Sequence, residues 1–250
     1  MAKALLSGLA AALVLAFVGA AVAQEAPAAE GDLRLSVGGD VVSDYIYRGQ
    51  ERNEDGAIQP WFGLNYDAFK VKIWTSMDID EEPHDAQWEF TELRLTGSYG
   101  IPIGGYSLDV GAIYYDYPNT ETESTFEVFG TFTFDGVLLT PYVSLYYDLD
   151  EIDGFYLKAG GSYGQKLETF EWLVGASLGV GSEDYNEGYF GVDEFALNDL
   201  TVDFTVTVPF SDQFSAKGFV IASWLIGDEV KDAAEDDSSI GFGAGVTYTF

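Results

Sequence analysis

Cysteine is absent from the 250 residues. No disulfide framework and no thiolate metal site can therefore form, and the chain carries no redox mark of its compartment. Histidine occurs once, as His84, which rules out a His/Cys zinc cluster and leaves a histidine-based dyad only one position. His84 lies in an acidic stretch and reads as a solvated loop residue. Bases are scarce, with 11 Lys and Arg against 42 Asp and Glu and a net charge of −31. Nucleic acid is thus not expected as a partner, because its phosphates need a basic face. Beyond residue 23 no apolar run is long enough to cross a bilayer as a helix. If the rest of the chain is a membrane protein it must be a closed barrel, since lipid cannot satisfy open backbone groups.

What the chain has is glycine (29), tyrosine (16) and phenylalanine (18), with aromatics at 16 %. A strongly acidic chain reads as disordered only when aromatics are few; this composition points instead to strands and tight turns. Residues 1–23 form an exception. Lys3 precedes an apolar stretch, and Ala21-Val22-Ala23 ahead of Gln24 has the small-x-small form of a cleavage site, so 1–23 are read as a signal peptide. A retained membrane anchor is the rival reading, disfavoured because no stop-transfer charges follow. Residues 24–32 read as a flexible leader and 33–250 as the folded body.

Within 33–250 the dominant signal is alternation with period two, the period of a strand. In 69–77, Phe69, Val71, Ile73 and Met77 alternate with Lys70, Lys72, Trp74 and Ser76. Similar segments predict strands at 33–44, 57–66, 69–78, 88–100, 105–116, 124–134, 137–148, 154–164, 169–180, 196–208, 214–226 and 239–250. That makes about twelve, an even number, as single-chain bacterial barrels require. The connections alternate short and long. Tyr66-Asp67-Ala68, Ile101 to Gly104, Asp135-Gly136, Gln165 to Glu168 and Ser211 to Gln213 are short; 45–56, 79–87, 117–123, 149–153, 181–195 and 227–238 are long. Short periplasmic turns and longer, acidic extracellular loops are the pattern of an outer-membrane barrel. Rings near strand ends, including Tyr45, Tyr66, Phe69, Tyr99, Tyr106, Phe134, Phe155, Tyr163, Phe170, Phe210, Phe214, Tyr248 and Phe250, read as interfacial girdles. The expected fold is all-β, a closed antiparallel transmembrane β-barrel. A soluble β-sandwich filled by these aromatics would have to bury the charges of the alternate positions.

The run Asp40-Val-Val-Ser-Asp-Tyr-Ile-Tyr-Arg-Gly49 resembles the opening signature of the TorF family of outer-membrane porins, an S-x-Y-x-aromatic-R-G pattern. Leu108 to Asn119 is similar to a second block of that family, and Ala57 to Met77 fits its second and third strands. The resemblance covers the first half well and the second by architecture alone. It implies a porin-like role in the bacterial outer membrane and assigns no substrate, cofactor or catalytic residue. The ending Val246-Thr-Tyr-Thr-Phe250 resembles the terminal signal read by the barrel-assembly machinery; lipid and lipopolysaccharide are the other expected partners.

With the apolar set facing lipid, the interior receives Arg34, Asp40, Lys70, Lys72, Glu92, Arg94, Asp109, Glu127, Lys158, Glu171, Asp203 and Lys217, the candidate pore-lining residues. Trp61, Trp74, Tyr115, Phe129, Tyr142 and Tyr156 fall on the same face. These charges either line a narrow aqueous pore or pair across the lumen and close it, since twelve strands lie between side-chain-filled and open barrels. The acidic loops, densest at 78–82, 148–153 and 228–237, would favour cations at the mouth. They could also bind Ca²⁺ or Mg²⁺, though none has EF-hand spacing. No nucleophile motif stands out, so no enzyme activity and no cofactor are expected. The function expected is passive diffusion of small solutes or ions; the alternative is a structural or adhesive barrel with a blocked lumen and working outer loops.

Overall fold

The computed structural model describes residues 33–80 and 87–250. The leader, the cleavage site, Glu81, Glu82 and His84 therefore lie outside the described residues. Twelve strands close into one antiparallel barrel. In chain order the elements are β1 (Leu33–Val42), β2 (Tyr45–Tyr47), β3 (Gln50–Asn53), β4 (Ala57–Tyr66), β5 (Phe69–Asp78), β6 (Phe90–Ile103) and β7 (Tyr106–Asp116). There follow β8 (Thr125–Thr133), β9 (Tyr142–Asp148), β10 (Phe155–Lys166), β11 (Glu171–Gly181), helix α1 (Glu183–Phe190), β12 (Ala196–Pro209), β13 (Phe214–Leu225), helix α2 (Asp228–Ala233) and β14 (Ser238–Thr249). β2 and β3 form a separate two-stranded sheet; the other twelve make the wall, each pairing with its chain neighbour. Closure is made by β1 against β14, from Ser36 opposite Thr249 to Val42 opposite Gly243. Closure leaves the wall itself without a free edge, the condition for a sheet in hydrocarbon.

The alternation becomes two walls. Ile73, Leu95, Tyr99, Val110, Phe126, Leu145, Phe204 and Phe242 are all exposed on the outside. Large exposed apolar side chains of this density suit lipid, not water. Among the described residues buried hydrophobic side chains gather in two small clusters, one around Val42 and one around Leu225. The interior also holds hydroxyls, charges and aromatic rings, and glycines make room for them. A β-carbon on Gly243 would sit 2.2 Å from the Phe219 ring, and one on Gly245 would collide with the Asp40 carboxylate. The glycine run of β14 therefore faces inward and seats side chains of β13 and β1.

Two expectations are corrected. The strand expected at 137–148 begins only at Tyr142, because Pro141 has no N–H to give a ladder and Leu139 and Thr140 adopt positive φ (72° and 36°). The chain makes a broad turn there, closed by Phe134 N–H donating to Pro141 O and by Ser162 N–H donating to Leu139 O. The span 45–56, expected as an open outer loop, contains the β2–β3 hairpin. With it Tyr45, expected in a girdle, is buried at 9 % exposure inside the barrel against Ala57 and Trp74. β1 ends at Val42, so Tyr45 belongs to a segment that has already left the wall and turned inward.

Candidate functional site: the lumen and its outer plug

Register puts all twelve candidate residues on the inner face. Lys72 pairs with Gly63, Trp74 with Arg94, Ser76 with Glu92 and Gly175 with Asp203. Each pair shares a side of the sheet, and that side is opposite the exposed apolar set. The six aromatics named with them face the same way, as Trp61 opposite Trp74, Phe129 opposite Tyr146 and Tyr156 opposite Tyr146 illustrate. Several charges are brought together. Lys217 Nζ donates to Asp40 Oδ2 at 3.0 Å, with Gly245 beneath both. Lys70 stands 3.7 Å from Asp109, a half-exposed and therefore weak pair. Arg94 binds Glu92 directly, and Lys166, which was not among the expected residues, binds Glu171. Among the described residues Lys158 and Asp203 are in no contact ion pair, though each feels the other's charge. Glu127 pairs with a residue that the alternation could not offer.

That residue is Arg48. β2 and β3 are joined by Arg48-Gly49, both with positive φ (50° and 82°), and Tyr47 pairs with Gln50. This is a two-residue turn of the primed type, which matches strand twist but asks an arginine to adopt a left-handed backbone. Its side chain compensates. Nη1 donates to Glu127 Oε1 at 2.6 Å and Nη2 to Oε2 at 2.8 Å. The side chains of Arg48 and Glu127 are 5 % and 2 % exposed. The guanidinium lies 4.3 Å from the Tyr146 ring centroid and 4.9 Å from those of Tyr47 and Tyr156. Tyr115 also donates to Glu127 at 2.8 Å and shares a hydrogen bond with Tyr47 at 2.9 Å. A bidentate ion pair in a tyrosine cage is the geometry in which a buried charge is best satisfied.

A second arginine holds the same hairpin. Arg94 lies 3.8 Å from the Tyr47 ring centroid and 4.7 Å from that of Trp74, and it donates to the Tyr45 hydroxyl. Tyr45 in turn donates to Glu92 at 3.2 Å. Helix α1 packs on the other flank. Ser182 caps its N-terminus by accepting from Tyr185 N–H, and Gly191 ends it in the left-handed region. Tyr185 and Asn186 are buried, and Gln50 Nε2 donates to Tyr189 O at 2.6 Å. Burial pushes the Tyr189 hydroxyl up to about 12 and that of Tyr185 further, so both stay neutral.

Helix α1 is anchored by a distortion of the wall. The β11–β12 register shifts between Leu178 and Val180, and the successive residues Asn198 and Asp199 are both buried. Asn198 donates to Asn186 at 2.7 Å, and Asp199 accepts from Tyr156 at 2.6 Å. A bulge can bury two successive side chains where strict alternation would bury one.

The hairpin and helix thus form a plug across the end of the barrel that carries the long connections. Below it, a cavity of about 230 Å³ is lined by Tyr47, Arg48, Tyr146, Tyr156, Lys158, Thr201 and neighbouring isoleucines. Toward the short-turn end the lumen residues are more exposed; Lys70 keeps 48 % of its side-chain surface. Among the described residues no group of acids and histidines is placed to hold a metal ion. The plug was not foreseen because Arg-Gly is not one of the usual hairpin dipeptides. The signal available was Tyr45-Ile-Tyr47 on one side of that dipeptide and polar Gln50-Glu51-Arg52 on the other.

Similar solved structures are barrels. An outer-membrane channel from Pseudomonas putida F1 aligns over 92 % of this chain and 100 % of its own, at TM-score 0.55 and 10 % identity. The KdgM porin, solved in complex with disordered oligogalacturonate, aligns over 87 % and 99 %, at TM-score 0.52 and 11 % identity. The NanC porin aligns over 86 % and 98 %, at TM-score 0.50 and 10 % identity. Likeness at such identities establishes the fold alone, a closed antiparallel barrel, and neither role nor solute. No curated protein matches the sequence. A family model described as "Bacterial protein of unknown function (Gcw_chp)" matches residues 25–234. The TorF name has no support in these comparisons.

Proposed function

The chain belongs to this Gcw_chp family of bacterial proteins of unknown function, and from its barrel we propose that it is an outer-membrane, porin-like channel for small solutes or ions, narrowed at its outer mouth by an inward-folded plug. One observation carries the reading: a closed wall of twelve strands that turns large apolar side chains outward and lines its inside with charges. A wall of that kind suits a bilayer, and a charged lumen suits water. Phe250, exposed at the end of the chain and edge-on to Tyr248 at 5.0 Å, is the proposed handle for the barrel-assembly machinery.

Cation preference is the finer part of the proposal. The long connections hold Asp55, Glu121, Glu123, Asp150, Glu151, Glu183, Asp184, Asp236 and Asp237. Such a field concentrates cations at the mouth and repels anions.

A second reading has its own support. The caged Arg48–Glu127 pair holds the plug firmly, as an occluded structural or adhesive barrel would require. Planar-bilayer recording separates the two. Refolded protein should pass current in steps, with a reversal potential of cationic sign in a salt gradient. If only a variant lacking 44–54 conducts, the barrel is a plugged one. If neither conducts, the channel proposal fails.

A further inference from the structure

Lys158 faces the lumen from β10. The residues opposite it on the two adjoining strands are Ser144 and Gly179, both small. The inner wall is therefore thin on either side of the lysine stem, and space is left between it and the plug. That space is the cavity of about 230 Å³, with Lys158 on its wall side and Ile46, Tyr47 and Arg48 on its plug side.

The two cations of this cavity differ. Arg48 is paired with Glu127 through both carboxylate oxygens. Among the described residues Lys158 is in no contact ion pair; Asp199 and Asp203 act on it only through their charge, and the like charge of Arg48 opposes it. Both oxygens of Asp199 are occupied, Oδ1 accepting from Tyr156 at 2.6 Å and Oδ2 from Thr201 at 3.0 Å. A charge half withdrawn from water gains most from a partner of opposite sign at hydrogen-bond distance. The cavity is the place where such a partner fits.

The other lining groups restrict the body of that partner. The hydroxyls of Tyr47, Tyr156 and Thr201 are already bonded, to Tyr115, Asp199 and Ser223. A sugar, which needs several free donors and acceptors, would find few. Among the described residues no carboxylate lines the cavity, so a hard metal ion has no charged oxygen ligand there. What remains is apolar: Ile46, Ile221 and the rings of Tyr146 and Tyr156. An apolar cavity of about 150 Å³ admits benzene, so this one has room for a single ring bearing a carboxylate.

We propose that the cavity is a binding site for a small aromatic monocarboxylate, with its carboxylate on Lys158 and its ring among Ile46, Ile221 and the tyrosines. The site names a solute class for the channel proposed above and rests on that reading for transport only; binding needs no current. It also stands apart from the acidic mouth. The outer acids act at a distance on mobile ions and are screened by salt, whereas Lys158 acts at contact on one bound solute.

Benzoate is the probe. The refolded full chain should broaden and shift the fluorine resonance of para-fluorobenzoate, and unlabelled benzoate should reverse the change. Glucuronate keeps the charge without the flat apolar ring, and benzyl alcohol keeps the ring without the charge; neither should displace the probe. Lys158→Gln should weaken binding by about tenfold or more, the worth of one charge-assisted hydrogen bond, with the heat-modified gel mobility of the barrel unchanged. Ile221→Trp fills the cavity and leaves the charge, so it should weaken binding as well, and it decides the matter if Lys158→Gln fails to fold. Lys231→Gln removes an equal charge from helix α2, outside the lumen, and should bind as the parent does. Displacement by glucuronate or benzyl alcohol as strong as by benzoate, or parental binding by Lys158→Gln, overturns the site. Binding as expected in a barrel that never conducts keeps the site and sinks the channel reading. Stepwise current with no binding keeps the channel and sinks the site.

Discussion

Arg48 carries the strongest residue-scale consequence. Removing one partner of a buried, hydrogen-bonded ion pair leaves an uncompensated charge and costs about 3–5 kcal/mol, more than the pair itself contributes. In this barrel the wall can survive that loss, because the plug is a separate sheet. Arg48→Ala should therefore free the hairpin and raise single-channel conductance, with heat-modified mobility of the barrel on a denaturing gel little changed. Gly49→Ala tests the same joint without touching charge. At φ 82° a side chain is strained by about 1–2 kcal/mol, and its β-carbon would stand 2.7 Å from that of Asp199. It should shift conductance in the same direction as Arg48→Ala. An unaltered current in both variants would mean that the plug is not held by its turn.

At the scale of the strand, the two faces make opposite demands on the same substitution. Leu95 and Thr96 are neighbours in the middle of β6, the first outward and 44 % exposed, the second paired with Lys72 on the inner face. Leu95→Arg places a charge against hydrocarbon at a cost of about 2–4 kcal/mol. Thr96→Arg places the same charge in the lumen. Urea unfolding in lipid vesicles should show the first loss and a much smaller one for the second; equal losses would refute the assignment of faces. The alternation that licenses this contrast is legible in the sequence, because two sets of side chains repeat at every second position. The bulge at Asn198 and Asp199 was not legible. Both residues are polar and either could have faced out; the choice is made by Asn186 of helix α1, which is distant in the chain.

Across the whole molecule the charge is unevenly placed. Acids crowd the long connections, while Arg34, Lys70, Lys72, Arg94, Lys158 and Lys217 face the lumen. If the outer acids set the preference for cations, it must weaken as salt screens them. The Debye length falls from about 10 Å at 0.1 M to about 3 Å at 1 M. Reversal potentials measured at fixed salt ratio should move toward zero over that range. A preference that persisted at 1 M would place the selective groups in the lumen and not in the loops.

Composition and period two sufficed for the closed barrel, its strand number and the inward set of charges. Those follow from a local rule, that successive side chains of a strand face opposite ways, and from the absence of any other way for such a chain to cross lipid. Whether the lumen is clear or blocked was not decided locally. Arg48 and Glu127 are far apart in sequence and on different sheets, and each taken alone is an unremarkable charge. Only when the wall closes does it create a space in which a short hairpin can fold inward and cage a guanidinium among tyrosines.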